Sequence, residues 1–412
     1  MATNCKKQRL ALGSESSSLK DIFTEFPETL VKEIAGRMDE FSDKSRYYSL
    51  TLNPLRILNC NAADIYEGVH FSQSYCCVEM EQELHWFGGI FMKGIDLLKT
   101  FMLTRKAPTS TKEKLALMRL LLFLQELMKD NDAQSTLENL EMFSDAELTV
   151  VMANHLFAKL SVSQYTTIDK LCKGNSQCPC DVETCKPIAH FGDTSIGSPH
   201  VWNGNLDILV NYEVPIVVGL HSEENCDRSG GKLSAGIQPR RNDLLKNHQN
   251  MAKAIVFSFL QKLRHPEYEH FLCPCICVTA KDLIVVFYDS KNDILLESSI
   301  VPLISQRVTS VGKVNMAAIL TAWLVVNYNC LCDGLTNELE TSAKTGFFRH
   351  AAAKMNIYEN YLQIGDVKNQ DHKLECITPV QIVPNLALHE RYKDDIFTKI
   401  SEGAVAKKTY QM

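Results

Sequence analysis

The sequence predicts an α/β (α+β) protein: an N-terminal helical region followed by a small mixed sheet flanked by helices. Three observations carry that reading. Apolar residues recur at helical intervals from Leu19 to about Lys170. Beyond them the pattern becomes strand, strand, helix, strand, strand, helix, the order of a sheet covered by helices. A chain of 412 residues that is 45% hydrophobic and 22% charged can also bury a large core in two or three domains.

The elements follow in order. Residues 1–18 are polar and Ser-rich and predict a disordered tail. Residues 19–170 predict a mainly helical domain. In "LKDIFTEFPETLVKEIAGRMDEF" Phe23, Leu30, Ile34 and Met38 share a helical face, and Pro27 suits the start of the main helix. "TSTKEKLALMRLLLFLQELMKDND" is opened by Ser110 or Thr111 as cap. "SDAELTVVMANHLFAKL" opens on Ser144 with Glu147 three residues on, the capping-box spacing. Residues 50–90 carry no clear periodicity and are read as a connector.

Residues 171–340 predict the α/β core. "CKGNSQCPCDVETCKPIAHFGDTSIGSPH" is rich in Gly, Pro, Ser and Cys and reads as irregular. "WNGNLDILVNYEVPIVVGLHSEE" then reads as a hairpin of two apolar runs. "NDLLKNHQNMAKAIVFSFLQKLRH" is a long helix with Asn242 as cap and Pro266 past its end. "CPCICVTA" and "DLIVVFYDS" are β-branched runs joined by a short turn, and "KVNMAAILTAWLVVNYNCL" is a buried helix. Residues 341–412 predict a helical and irregular C-terminal extension.

A net charge of −6 argues against a global field that attracts nucleic acid, so any basic surface must be local. One segment qualifies. Between Asp227 and Arg264 there are eight basic residues, Arg228, Lys232, Arg240, Arg241, Lys246, Lys253, Lys262 and Arg264, against Asp227 and Asp243 alone. Phosphate contacts dominate nucleic-acid affinity, and this segment could supply them, with Arg240, Arg241, Lys246, Gln249 and Lys253 as the nucleic-acid-binding set. A soluble helix with a basic exposed side is the plainer explanation.

Fifteen cysteines with no apolar leader at the N-terminus predict a reducing compartment, cytoplasmic or nuclear, holding free thiols or metal ligands. No run reaches the roughly 18–20 apolar residues needed to span a bilayer, so no membrane is expected. Cys172, Cys178, Cys180 and Cys185, with His190 soon after, form the densest ligand set and could ring a structural Zn²⁺. A loop of unpaired thiols is the alternative. Cys273, Cys275 and Cys277 alternate at strand period and read as small buried hydrophobes.

The order of elements around the hairpin resembles the PD-(D/E)XK nuclease-like, or restriction-endonuclease-like, superfamily over about residues 180–330. Trp202-Asn203-Gly204-Asn205-Leu206-Asp207 resembles the segment that delivers the first acid. Ile216 to Gly219 resembles the strand that delivers a second acid and a Lys. The helix with Gln249 and the following hairpin resemble the elements after it. The resemblance implies a Mg²⁺ site, because Mg²⁺ takes hard oxygen ligands and keeps several waters. The sequence departs from the motif where acid-x-Lys is expected: Gly219-Leu220-His221 stands there. Glu223 or Glu224 would then have to supply the second carboxylate and Lys232 the lysine, with Asp207 and Glu223 or Glu224 holding Mg²⁺. Two functions follow. One is a nucleic-acid-binding protein that, if active, is a metal-dependent nuclease. The other is a catalytically inactive scaffold whose helical N-terminal half binds a protein partner.

Overall fold

The computed structural model describes residues 22–42, 50–64, 68–81, 83–163, 165–172, 178–180, 182, 185–219, 248–341 and 344–367. Helix α1 (Glu28–Ser42) follows Pro27 and buries Leu30, Ile34, Met38 and Phe41 along one face. Strands β1 (Thr51–Cys60), β2 (Cys76–Met80) and β3 (His85–Trp86) come next. Helices α2 (Met92–Thr104), α3 (Thr111–Lys129), α4 (Asn131–Glu138) and α5 (Asp145–Met152) then run in succession. The expected capping box opens α5: the Ser144 N–H donates to a Glu147 carboxylate oxygen at 2.9 Å. That helix continues through a π-helical turn at Ala153–Phe157 to Leu160.

Six short strands follow: β4 (Thr166–Asp169), β5 (His190–Gly192), β6 (Ser195–Gly197), β7 (Asn203–Asn205), β8 (Ile208–Val210) and β9 (Val214–Val218). Helix α6 (His248–Arg264) leads to β10 (Leu272–Val278), β11 (Asp282–Asp289), β12 (Ile294–Ser298) and β13 (Val301–Pro302). A ribbon of β14 (Ile304–Thr309) and β15 (Gly312–Val314) precedes the buried helix α7 (Met316–Val326). Short helical turns and β16 (Gln363–Ile364) complete the described chain.

The main sheet runs β2-β1-β12-β11-β10-β9-β8-β4-β5, with β3 and β13 pairing onto β1 and β11. It is mixed: β9 and β10 are parallel, as are β4 and β5, and the other pairs along the run are antiparallel. A parallel pair needs a crossover, and α6 lies in the one between β9 and β10. Alternation along β11 shows how the layers form. Leu283, Val285 and Phe287 point into a core shared with α1–α5 and α7, whereas Val286 and Tyr288 point into a second core under α6. Both faces are covered, so these strands read as continuous apolar runs.

The α+β class therefore holds, and the sheet is larger than the small one expected, with eleven strands. The enlargement comes from residues 50–90, which the sequence leaves as a connector. Strand β1 lies between β2 and β12 although it contains Pro54 and two asparagines, residues that ordinarily argue against a central strand.

Candidate functional site

Asp207 sits just before β8, where that strand starts beside the end of β9. Its Oδ2 accepts a 3.0 Å hydrogen bond from the Val218 N–H, and its own carbonyl accepts from the Asp169 N–H at 2.9 Å. Lys253, from the first half of α6, brings Nζ to 4.0 Å from the same Oδ2. Burial raises the Asp207 pKa above the ordinary carboxylate range, against the pull of Lys253 and the Val218 N–H. About a third of the side chain still reaches solvent. Asp145, at the start of α5, is raised too, by burial first and by Asp207 second.

The antiparallel pairing Ile208↔Ile216 places Val217 across from Asp207. The strand that ought to carry a second acid thus presents a buried valine. Asp169 is near, but both of its oxygens are engaged, Oδ2 by Asn205 Nδ2 at 2.9 Å and Oδ1 by the Leu171 N–H at 3.1 Å. Glu223, Glu224, Lys232, Arg240, Arg241 and Lys246 lie outside the described residues. Gln249 is half-buried and donates through Nε2 to the Ser72 carbonyl at 3.4 Å. Lys253, expected on the basic helix face, is instead buried and turned toward Asp207.

A second constellation is built from the end of α5 and the segment that leads into β5. His155, Cys178, Cys180 and Cys185 place one ligand atom each within 4.8 Å of one another and can hold a metal ion such as zinc. The His155 Nε2 is 3.3 Å from Cys178 Sγ and 3.5 Å from Cys185 Sγ. His155 belongs to the π-helical turn of α5, a local widening found frequently at functional sites. Burial lowers its pKa to about 4, with Lys159 adding to the effect, so the imidazole is neutral near pH 7. Its Nδ1 is buried without a hydrogen-bond partner among the described residues. Burial pushes the Cys178 and Cys185 thiols up, and the neighbouring sulfur of Cys180 adds to the rise.

Asn154, next in the same turn, fixes the segment that carries the cysteines. Its Oδ1 accepts from the Ile188 and Ala189 N–H groups at 2.7 and 2.9 Å, and its Nδ2 donates to the Val150 carbonyl at 2.9 Å. Three of the four expected cysteines therefore come together, and His155 occupies the fourth place. Cys172 is elsewhere: it bonds to Thr149, and burial first, then Asp207 and Asp169, push its thiol up to about 11. His190 is exposed on β5 with Nε2 3.1 Å from Thr167 Oγ1.

The sequence does carry a signal for His155. Asn154-His155 interrupts an otherwise apolar run, "VVMANHLFAKL", at positions a buried helix face would fill with hydrophobes. No family model, curated protein or solved structure matches this chain. Among the described residues no helix is long and apolar enough to cross a membrane.

Proposed function

We propose that this chain binds nucleic acid through a nuclease-like core centred on Asp207 and Lys253, and acts by binding rather than by cleavage. The observation that supports it most is the juxtaposition of those two groups where β8, β9 and α6 meet. An acid at a strand end, bonded to the neighbouring strand and faced by a lysine, is the arrangement the PD-(D/E)XK resemblance implies. Lys253 takes there the part expected of Lys232. The order of β8, β9, α6, β10 and β11 supports the same reading.

Mg²⁺ does not fit the described residues. A divalent ion needs several oxygen ligands converging on one point. Val217 offers none, and the one group of three or more metal-ligating side chains among the described residues is the His/Cys set. What supports binding without hydrolysis is β9 itself, which carries Val217 opposite Asp207 and no acid between Val214 and Val218. Lys253 offsets the Asp207 charge and keeps the site from being a bare anion that would repel phosphate.

The test is a salt titration of binding to fluorescently labelled single- and double-stranded DNA and RNA. Log K should fall linearly with log salt. Replacing Arg240, Arg241 and Lys246 together by Ala should flatten the slope by roughly 2–3, at about 0.9 for each duplex-DNA phosphate no longer neutralised. Binding that is absent or indifferent to salt would overturn the proposal. Incubation with Mg²⁺ or Mn²⁺ should leave the strands intact; cleavage by the wild type that Asp207→Ala abolishes would establish the hydrolytic function instead.

A further inference from the structure

We propose that His155, Cys178, Cys180 and Cys185 form a closed tetrahedral Zn²⁺ site that staples the segment leading into β5 onto helix α5. Geometry is the first argument. Zinc–sulfur bonds of about 2.3 Å and zinc–nitrogen bonds of about 2.0–2.1 Å at tetrahedral angles put nitrogen and sulfur about 3.6 Å apart. The His155 Nε2 lies 3.3 and 3.5 Å from two of the sulfurs. A single imidazole nitrogen makes one well-directed hydrogen bond, so hydrogen bonding accounts for one of those sulfurs and leaves the other unexplained. A cation at the centre accounts for both, and for the third sulfur within the same 4.8 Å envelope.

The ligand types name the metal. Three thiolates and an imidazole suit Zn²⁺, whereas Mg²⁺ and Ca²⁺ take oxygen donors. Four protein ligands leave no position for water or substrate, which makes the site structural rather than catalytic. An access route exists: a cleft lined by Glu126, Asp130, Lys159, Val182 and Lys186 opens beside His155 and Cys185.

The fold supplies the need. Strands β4 and β5 are parallel, and such a pair is ordinarily joined by a helix that packs back on the sheet. Here residues 170–189 make the connection, and a single 3₁₀ turn at Lys170–Cys172 is the one regular element among its described residues. Connections in compact domains have a median of about 4–6 residues, so one of this length has room to carry a site of its own. Beyond the staple, β5 is three residues long and forms the end of the sheet. Asn154 clamps Ile188 and Ala189 just after the last cysteine, so the metal and the asparagine grip the same segment from adjacent positions of one helical turn.

The experiment uses the full chain, purified under reducing conditions without chelator. Elemental analysis should find about one zinc per chain, as a single tetrahedral site requires. X-ray absorption at the zinc edge should fit three sulfurs and one nitrogen. Cys185→Ser and His155→Ala should lose the metal. Cys172→Ser should keep it, which separates this set from the four cysteines of the sequence pattern. Should the ligand variants fail to fold, the wild type still decides: no zinc after reconstitution, or a shell of oxygens, overturns the site. Zinc retained by Cys185→Ser and lost by Cys172→Ser overturns it equally. Chelation of the wild type should lower the melting temperature and speed amide exchange at Ile188 and Ala189; unchanged exchange there would remove the stapling role.

Discussion

Glu297 lies on β12 beneath α6 and is 2% exposed, and no hydrogen bond from a described residue reaches its carboxyl. Its cross-strand neighbour Asn53 is also buried, with an Oδ1 that lacks a partner among the described residues. Burial raises the Glu297 pKa to about 8. Between the ordinary glutamate range and pH 8 the folded chain then holds a proton that the unfolded chain has released. Stability from this group must fall as pH rises through that window and level off above it. At about 1.4 kcal/mol per pKa unit the loss is on the order of a few kcal/mol. Glu297→Gln keeps the shape and cannot ionise, so it should unfold at higher urea concentration than the wild type at pH 8.5. The gap should close as pH approaches 4.5, and urea titrations at both pH values will read it. Residues of this kind explain what the sequence hides. Asp207 was legible because an acid stood inside an apolar run. The reversal of Lys253 from solvent to Asp207 was not, since helical spacing places a residue on a face without saying which face the sheet will cover.

At the scale of the element, the π-helical turn at Ala153–Phe157 matters most, because it turns two consecutive polar side chains toward one segment. Asn154→Ala removes the acceptor for two backbone N–H groups and should cost about 1–2 kcal/mol. Exchange should quicken at Ile188 and Ala189. Ser144→Ala at the start of α5 removes the hydroxyl that donates to Glu147 at 2.7 Å, should cost a similar amount, about 1 kcal/mol, and should leave those two amides slow. Hydrogen exchange on the two variants distinguishes a local clamp from general loosening of the helix. Elements with strong local signals were legible: α3 with its amphipathic run, α5 with its capping box, and β10 and β11 as β-branched runs around a short turn. Strand β1 was not. Its Pro54, Asn53 and Asn59 contradict a central strand locally, and only pairing with β12, more than two hundred residues away, makes it one. The π-helical turn was equally silent: an inserted residue shifts the phase of an apolar stripe, but Leu148 to Phe157 are buried all round and present no stripe to shift.

For the molecule as a whole, the N-terminal helices and the sheet bury side chains in one shared core, so we expect them to fold together. Strand β1 is hydrogen-bonded on both edges inside the sheet, and Thr345 bonds back to it through the Ile57 N–H at 2.9 Å. Trp323 of α7 donates through Nε1 to the Ala116 carbonyl of α3 at 2.7 Å. Asn327, just beyond α7, donates to the Leu160 carbonyl and accepts from the Val162 N–H, both at 2.9 Å. One apolar core runs from Phe23 in the N-terminal segment to Leu339, and it includes residues from β8 through β12. A fragment beginning at residue 171 would lose α1–α5 and keep only α7 over the face that carries Ile276, Val278, Val285 and Phe287. Tryptophan provides the measurement. Trp202 belongs to the core under α6 and Trp323 to the core under the other helices, so each reports on one face of the sheet. Single-tryptophan variants that keep one or the other should show the same urea midpoint, coincident with far-ultraviolet circular dichroism. The fragment of residues 171–370 should remain unfolded in buffer. Two separated midpoints, or a fragment with a cooperative transition of its own, would mean that the sheet's second face and α6 suffice as a folding unit and that the N-terminal helices are an addition to it.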